Sequence, residues 1–221
     1  MSTSIVAGLR VMVGIVVYGA VFFGTAGTFD YWQAWAFLGV IGVLALGAVL
    51  YLNRTDPALL ERRMRARETR PRQRRIMRVF TTTMVLLLAL PGLDRRFGWS
   101  EVPGWLAVVA LCVVVVSYAF VVTVLAKNSF ASRTIGVEEG QELVTDGPYA
   151  IVRHPMYLGV LPVAFATPIA LGSWWGVLAA LPAPWLLGLR ILDEEEALKE
   201  ELAGYEAYME RTRRRLIPGV W

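Results

Sequence analysis

Six apolar stretches dominate this sequence, at 5–26, 31–52, 78–93, 104–126, 156–171 and 176–192. A helix needs ~20 apolar residues to cross a hydrocarbon layer of about 30 Å. The stretch 104–126 is the clearest, with Val113 to Val116 at its centre. The first is interrupted only by Arg10 and has no small-residue cleavage signal after a short apolar region. It therefore reads as an uncleaved helix, not a signal peptide. The stretch 78–93 is short and ends at Pro91-Gly92. The last two stretches are joined by Gly172-Ser173-Trp174-Trp175 and read as a helical hairpin. Pro162, Pro168, Pro182 and Pro184 would kink its arms. The expected fold is an all-α integral membrane protein with six transmembrane helices, or five if one short run fails to span.

Composition agrees. Of 221 residues, 56% are hydrophobic and 18% charged, and the mean hydropathy is +0.52. Soluble domains sit near 45–50% apolar and about 25% charged. A soluble enzyme and a disordered chain are both excluded. Cys112 is the single cysteine and His154 the single histidine. No disulfide framework, thiolate metal site or histidine metal cluster can be built from them.

The net charge is +4, and 20 of the 22 basic residues are arginine. Residues 53–78 hold ten arginines against Asp56, Glu61 and Glu68, so the remainder of the chain sums to −3. One basic loop between apolar runs is the positive-inside pattern of a membrane protein, not the distributed footprint of a nucleic-acid binder. Phosphate binding by that loop is the lesser reading. With 53–78 in the cytoplasm, an even number of crossings puts 127–155 and 193–221 there too. The chain thus divides into an N-terminal set of helices with the basic loop, 1–126, and a region 127–221 whose polar segments form a cytoplasmic cap.

Within 127–221, the stretches 132–137 and 141–144 flank Glu138-Glu139-Gly140 and suggest a short hairpin. Asp146-Gly147-Pro148 is a second turn signal. Residues 193–215 read as one charged helix. Asp193 to Glu196 stand in its first turns and Arg211, Arg213, Arg214 and Arg215 in its last, the order the helix dipole favours. Leu198, Leu202, Tyr205 and Tyr208 give it one apolar face.

Two constellations can carry chemistry. The first runs from Gly147 to Gly159 and places Tyr149, Arg153, His154 and Tyr157 just before an apolar helix. Pro155 suits the first helical position. His154 then lies near a helix N-terminus, where free N–H groups attract an anion, and Gly159 permits close packing one turn further in. The plain alternative is an interfacial belt of anchoring side chains. The second runs from Arg190 to Glu195, where Arg190 and Glu194 are four apart and share a helix face. Its plain alternative is a solvated acidic turn.

These residues carry a resemblance. Gln141 through Tyr149, Arg153-His154-Pro155-Met156-Tyr157-Leu158-Gly159, Arg190 through Glu195 with Leu198, and then Tyr205, Tyr208 and Leu216-Ile217-Pro218 resemble the isoprenylcysteine carboxyl methyltransferase family. The phospholipid methyltransferases are similar in the same region. The resemblance covers about 127–221 and implies an integral membrane enzyme using S-adenosylmethionine. It implies a cofactor site made by Gly147, Tyr149, Arg153, His154, Pro155, Tyr157, Gly159, Glu194 and Glu195. Arg153, or the helix N-terminus at His154 and Pro155, suits the cofactor carboxylate. Glu194 and Glu195 suit its ammonium or ribose hydroxyls, and Tyr149 or Tyr157 its adenine or sulfonium.

Transfer of an already activated methyl group asks the protein mainly for alignment, worth about 7–11 kcal/mol. A carboxylate acceptor needs a cation to hold it, for which Arg190 is the first candidate. An amine acceptor needs a base, for which Glu194 is a candidate. The expected reaction is O-methylation of a lipophilic carboxylate from the cytoplasmic side of the plasma membrane, with membrane lipids as surroundings and neither nucleic acid nor metal as partner. The alternatives are N-methylation of a phospholipid amine, a membrane reductase of the sterol-reductase kind that uses NADPH, and a non-enzymatic membrane module.

Overall fold

The computed structural model of the chain describes residues 3–65, 71–131, 137 and 140–221, and side chains from Arg78 onward in the helix that begins at Pro71. Nine α-helices and one 3-10 turn, and no strand, occur among the described residues. The helices are α1 (Thr3–Ala26), α2 (Trp32–Thr55), α3 (Pro57–Arg65), α4 (Pro71–Phe97), α5 (Gly104–Lys127), α6 (Pro155–Ala170), α7 (Trp175–Ala180), α8 (Ala183–Glu201) and α9 (Tyr205–Arg211). Four helical segments are long and apolar enough to cross a membrane: α1, α2, α5 and Trp175–Glu201, which joins α7 to α8. The other two of the six expected stretches form α4 and the shorter apolar helix α6.

The surface of the bundle is that of a protein dissolved in lipid. Val16, Val43 and Val116 are 67%, 73% and 69% exposed in the middle of α1, α2 and α5. A water-facing surface does not carry such continuous apolar area. The helices satisfy their own backbone, which hydrocarbon requires. Inside, Phe22, Phe37, Leu38, Val114 and Ala166 bring α1, α2, α5 and α6 into one buried cluster.

Local chemistry sets the helix ends. Gly27 adopts φ +68° and closes α1, the usual role of glycine past a helix C-terminus. The Asp56 carboxylate accepts from the Leu59 N–H at 2.9 Å, and Pro57 opens α3.

Three expectations are corrected. The third apolar run does not stop at Pro91-Gly92, because α4 continues to Phe97. That pair serves close packing instead. A Cβ at Gly92 would lie 1.9 Å from Thr25 Oγ1 and 2.8 Å from the Phe22 carbonyl, and Pro91 packs against Gly176. The second arm of the hairpin is not one run, because it breaks between α7 and α8 at Leu181-Pro182. Residues 193–215 are not one helix. Residues 193–201 complete α8, Gly204 takes φ +81°, and α9 is only seven residues long. Asp193 to Glu196 therefore lie within the second half of α8, not in the first turn of a helix. Of the expected hairpin, residues 132–136, 138 and 139 lie outside the described residues, and Gln141 to Val144 form no regular element.

The polar segments gather at one end. Arg62 donates to the Ser129 carbonyl at 2.8 Å and Arg63 to the Ala131 carbonyl at 2.7 Å, which ties α3 to the chain after α5. The Val137 N–H donates to Glu201 at 3.0 Å. The opposite end is closed by Asp94, which is 1% exposed. It accepts from the Ser100 N–H at 2.7 Å and from the hydroxyls of Ser100 and Ser173, both at 2.5 Å.

This arrangement predicts the sidedness of labelling. In a Cys112→Ser background, single cysteines replacing the exposed Glu210 and Glu101 should react with impermeant maleimide from opposite faces of sealed vesicles. Reaction of both from one face would contradict it.

Candidate functional site

Two elements meet at the polar end: the chain that enters α6 and the last turns of α8. Glu195 of α8 is 2% exposed. One of its oxygens accepts from Arg153 Nε at 2.7 Å and lies 3.2 Å from His154 Nε2, and the other accepts from Arg215 Nε at 2.9 Å. Arg153 and His154 are themselves buried. Removing one partner from a buried ion pair typically costs about 3–5 kcal/mol, since the other charge stays behind uncompensated.

The chain after α9 completes this cluster. Arg153 Nη1 donates to the Thr212 carbonyl at 2.8 Å. The backbone N–H groups of Arg153 and His154 donate to the carbonyls of Arg214 and Arg215, both at 2.9 Å. The polar groups ahead of Pro155, which the helix leaves unpaired, thus find partners in the C-terminal segment. Arg215 also stacks over the Trp221 ring, 5.2 Å from its centroid.

In front of this cluster lies a narrow cleft of about 90 Å³. Of the residues expected at a cofactor site, Tyr149, Arg153, His154, Pro155, Tyr157 and Glu194 line it. Asn128, Glu142, Tyr205 and Tyr208 are among its other lining residues. Asn128 Nδ2 donates to the Tyr149 hydroxyl at 3.1 Å, and the Tyr208 hydroxyl donates to the Tyr149 carbonyl at 2.7 Å. Burial pushes the Tyr149 phenol up to about 12, and burial also raises Tyr205 and Tyr208. All three are neutral hydroxyls at physiological pH. The Tyr205 hydroxyl is buried and has no hydrogen-bond partner among the described residues.

The three remaining expected cofactor residues lie elsewhere. Glu195 is behind the cleft, in the ion cluster. Gly147 takes φ +58° at the start of the 3-10 turn Gly147–Ala150 that carries Tyr149. Gly159 faces α5: a Cβ there would lie 2.7 Å from Val121 Cγ2 and 3.3 Å from the Ser117 carbonyl, so its absence lets α5 and α6 touch. Arg190 reaches the cleft wall through Tyr157, whose hydroxyl accepts from Arg190 Nε at 2.9 Å and donates to Glu194 Oε2 at 2.6 Å. Among the described residues no three His, Cys, Asp or Glu side chains cluster as metal ligands would.

Sequence reasoning missed Arg215, Thr212, Arg214 and Asn128. Backbone carbonyls leave no trace in side-chain identity, and Arg215 was one of four arginines near the chain end. Tyr205 and Tyr208 were visible as part of an apolar face, and that face turns out to form a wall of the cleft.

A second, larger cavity of about 380 Å³ lies among α1, α2, α4, α5, α6 and α8. Ile15, Phe37, Leu87, Val163, Ala164 and Leu187 are among its lining residues, so its walls are almost wholly apolar.

The ion cluster predicts a stability effect. Arg153→Met should lower stability by about 3–5 kcal/mol, read from thermal unfolding in detergent. An unchanged transition would mean that burial of Glu195 does not depend on this arginine.

Comparison with known proteins follows this geometry. A model of the phospholipid methyltransferase family matches residues 105–203, the stretch holding α5, the Arg153-His154-Pro155 entry to α6, and α8 with Glu194 and Glu195. No curated protein sequence matches the chain. Among solved structures, the chain is similar in fold to the eukaryotic intramembrane Ras methyltransferase, isoprenylcysteine carboxyl methyltransferase, solved without a monobody. The TM-score is 0.52 at 18% identity, covering 98% of this chain and 86% of that one. In sequence over 105–203 and in fold over nearly its whole length, the chain is thus similar to the membrane methyltransferases, as the motifs implied.

Proposed function

We propose that the protein is an S-adenosylmethionine-dependent methyltransferase that acts on a lipophilic acceptor at the membrane interface. The observation that carries this reading is the pairing of two cavities. A polar cleft with charges of both signs on its wall, Arg153 and Glu194, lies on the same two helices as an apolar chamber inside the bundle. A zwitterionic cofactor suits the first and a hydrocarbon tail the second.

The cleft fits the cofactor on its own chemistry. Arg153 and the unpartnered Tyr205 hydroxyl would hold the carboxylate end, and Glu194 the ammonium. The ring of Tyr149 or Tyr157 would take the adenine or sulfonium. When bound, the cofactor supplies a methyl group activated on sulfur, transferred by in-line displacement. Arg190 holds the acceptor head at the cleft wall. A carboxylate head needs no base, and its negative charge matches the guanidinium. The phospholipid methyltransferase match favours a second reading, in which Glu194 takes a proton from an amine head group. NADPH fits poorly, because Glu142 and Glu194 on the wall oppose a 2′-phosphate.

The arginine-rich segment that includes α3 adjoins the cleft end of the bundle. The positive-inside pattern supports a cleft that faces the cytoplasm, with the plasma membrane as the proposed location, within reach of a water-soluble cofactor. The same layout supports a division at 126–127: the helices before it supply most residues of the chamber lining, and the region after it those of the cleft.

Binding to detergent-purified protein tests the reading. Calorimetry should detect S-adenosylmethionine and its demethylated product but not NADPH, and the reverse preference would overturn the proposal. With methyl-tritiated cofactor and a mixture of lipid extract, fatty acids and prenylated thio-acids, the label should enter a lipophilic product and be released by base as methanol. Base-stable label on an amine head group would select the second reading.

A further inference from the structure

The end of the bundle away from the cleft holds a cavity that the methyl-transfer reading leaves unused. Its volume is about 480 Å³, larger than that of the cleft. Four helices meet there: α2 and α5 begin at it, and α4 and α6 end at it. Two positive and two negative helix ends offset one another, so the side chains decide what the cavity takes.

Gln33 asks for a donor. Its amide lies against the turn after α6, where Gly172 takes φ +80° and a Cβ would sit 3.1 Å from Gln33 Nε2. Glycine there leaves the amide its place. Gln33 lines the cavity, and its Oε1 is buried with no hydrogen-bond partner among the described residues. Buried polar atoms are ordinarily paired, so this oxygen calls for an N–H or O–H from outside the chain. Asp94 adds charge. It is 1% exposed, and its donors are the Ser100 N–H and two serine hydroxyls, none of them charged. Arg95 turns elsewhere: its Nη2 donates to the Asp30 carbonyl at 3.1 Å and lies 3.6 Å from the Asp30 carboxylate. Glu101 brings a second carboxylate to the lining. Two carboxylates thus stand against one arginine that already answers Asp30, which favours a cation over an anion. A bare metal ion is far too small for this volume, whereas an organic ammonium also carries N–H donors for Gln33 Oε1.

We infer that this cavity binds a primary ammonium group, carried by the head group of a lipid in the leaflet that faces away from the cleft. The ammonium donates to Gln33 Oε1 and is attracted by the carboxylates of Asp94 and Glu101. The lipid source follows from the rim. Trp32 lines the cavity and is 48% exposed, and Trp105, next to the lining Gly104, is 69% exposed. Exposed tryptophans at helix ends mark the head-group level of a membrane. A head group at that level enters the cavity while its tails stay among the surrounding lipids. The site binds and does not transfer, since the residues of the cleft lie at the other end of the bundle. It therefore stands independently of the methyl-transfer reading.

The probes are dihexanoyl lipids with ethanolamine, choline and glycerol head groups, which share their tails, together with free ethanolamine. Binding is measured by calorimetry on the full chain in a non-ionic detergent, with S-adenosylmethionine measured in parallel. The wild type should bind the ethanolamine lipid saturably. It should bind the choline lipid, whose ammonium has no N–H to give, and the anionic glycerol lipid about 10-fold less tightly. Gln33→Leu should weaken the ethanolamine lipid about 10-fold, as loss of a hydrogen bond to a charged group implies. Gln33→Glu, which puts a charge at the same place, should tighten it several-fold. Glu101→Gln, at an exposed position, should weaken it about twofold. Cofactor affinity should stay within about twofold in all three variants. Free ethanolamine binding as tightly as its lipid would support the site and assign it to a soluble amine. Equal affinity for the three lipids, or preference for the glycerol lipid, would overturn the inference. So would ethanolamine-lipid binding that Gln33→Leu leaves unchanged or Gln33→Glu weakens, the first being the result expected if that lipid were held only in the cleft as a methyl acceptor.

Discussion

The polar end of this molecule depends on the burial of one carboxylate. Glu195 cannot be taken out of water alone, because desolvating an ion costs several kcal/mol even after relaxation. Arg153 and Arg215 together cover both of its oxygens, and His154 closes the same group. The partners come from two places: Arg153 and His154 from the entry to α6, Arg215 from the chain after α9. One buried charge therefore ties two segments to α8 and helps to fix the walls of the cleft.

A second constraint acts along the rest of the bundle. In hydrocarbon every polar group has to find its partner inside the protein. At the end away from the cleft, Asp94 meets three donors from Ser100 and Ser173, and the Tyr31 hydroxyl donates to the Leu171 carbonyl at 2.5 Å. Between these ends, buried apolar residues such as Phe22, Phe37 and Val114 pack the helices together. Small residues bring the helices close where they touch, as at Gly92, Gly159 and Gly176. Where α1, α2, α4, α5, α6 and α8 do not close on one another, the apolar chamber remains.

Much of this was legible beforehand, and the reasons differ by element. Long apolar runs announce membrane helices because the thickness of hydrocarbon fixes their length, so α1, α2 and α5 begin and end within a few residues of the expected positions. Proline and glycine misled, because they have two uses. Pro91-Gly92 looked like a stop and is a packing surface within α4, whereas Pro182 does break the last arm into α7 and α8. The charged tail was misjudged by charge order. Arginines after acidic residues suit one long helix, but Gly204 turns the chain, and the arginine that matters folds back onto Glu195. At the site, residue type located the two constellations but did not separate neighbours. Glu194 and Glu195 are adjacent, and roughly 100° of helix rotation per residue sends one to the cleft and the other to the ion cluster.

That separation is the central claim, and it is measured most directly by comparing Glu194→Gln with Glu195→Gln. Each keeps the shape of the side chain and removes its charge. For Glu195→Gln the account predicts a large loss of thermal stability in detergent, with cofactor binding lost only as the fold is lost. For Glu194→Gln it predicts a near-native unfolding transition and S-adenosylmethionine binding weakened roughly 10-fold or more. A stable Glu195→Gln protein with weakened binding, beside a Glu194→Gln protein that binds normally, would contradict it.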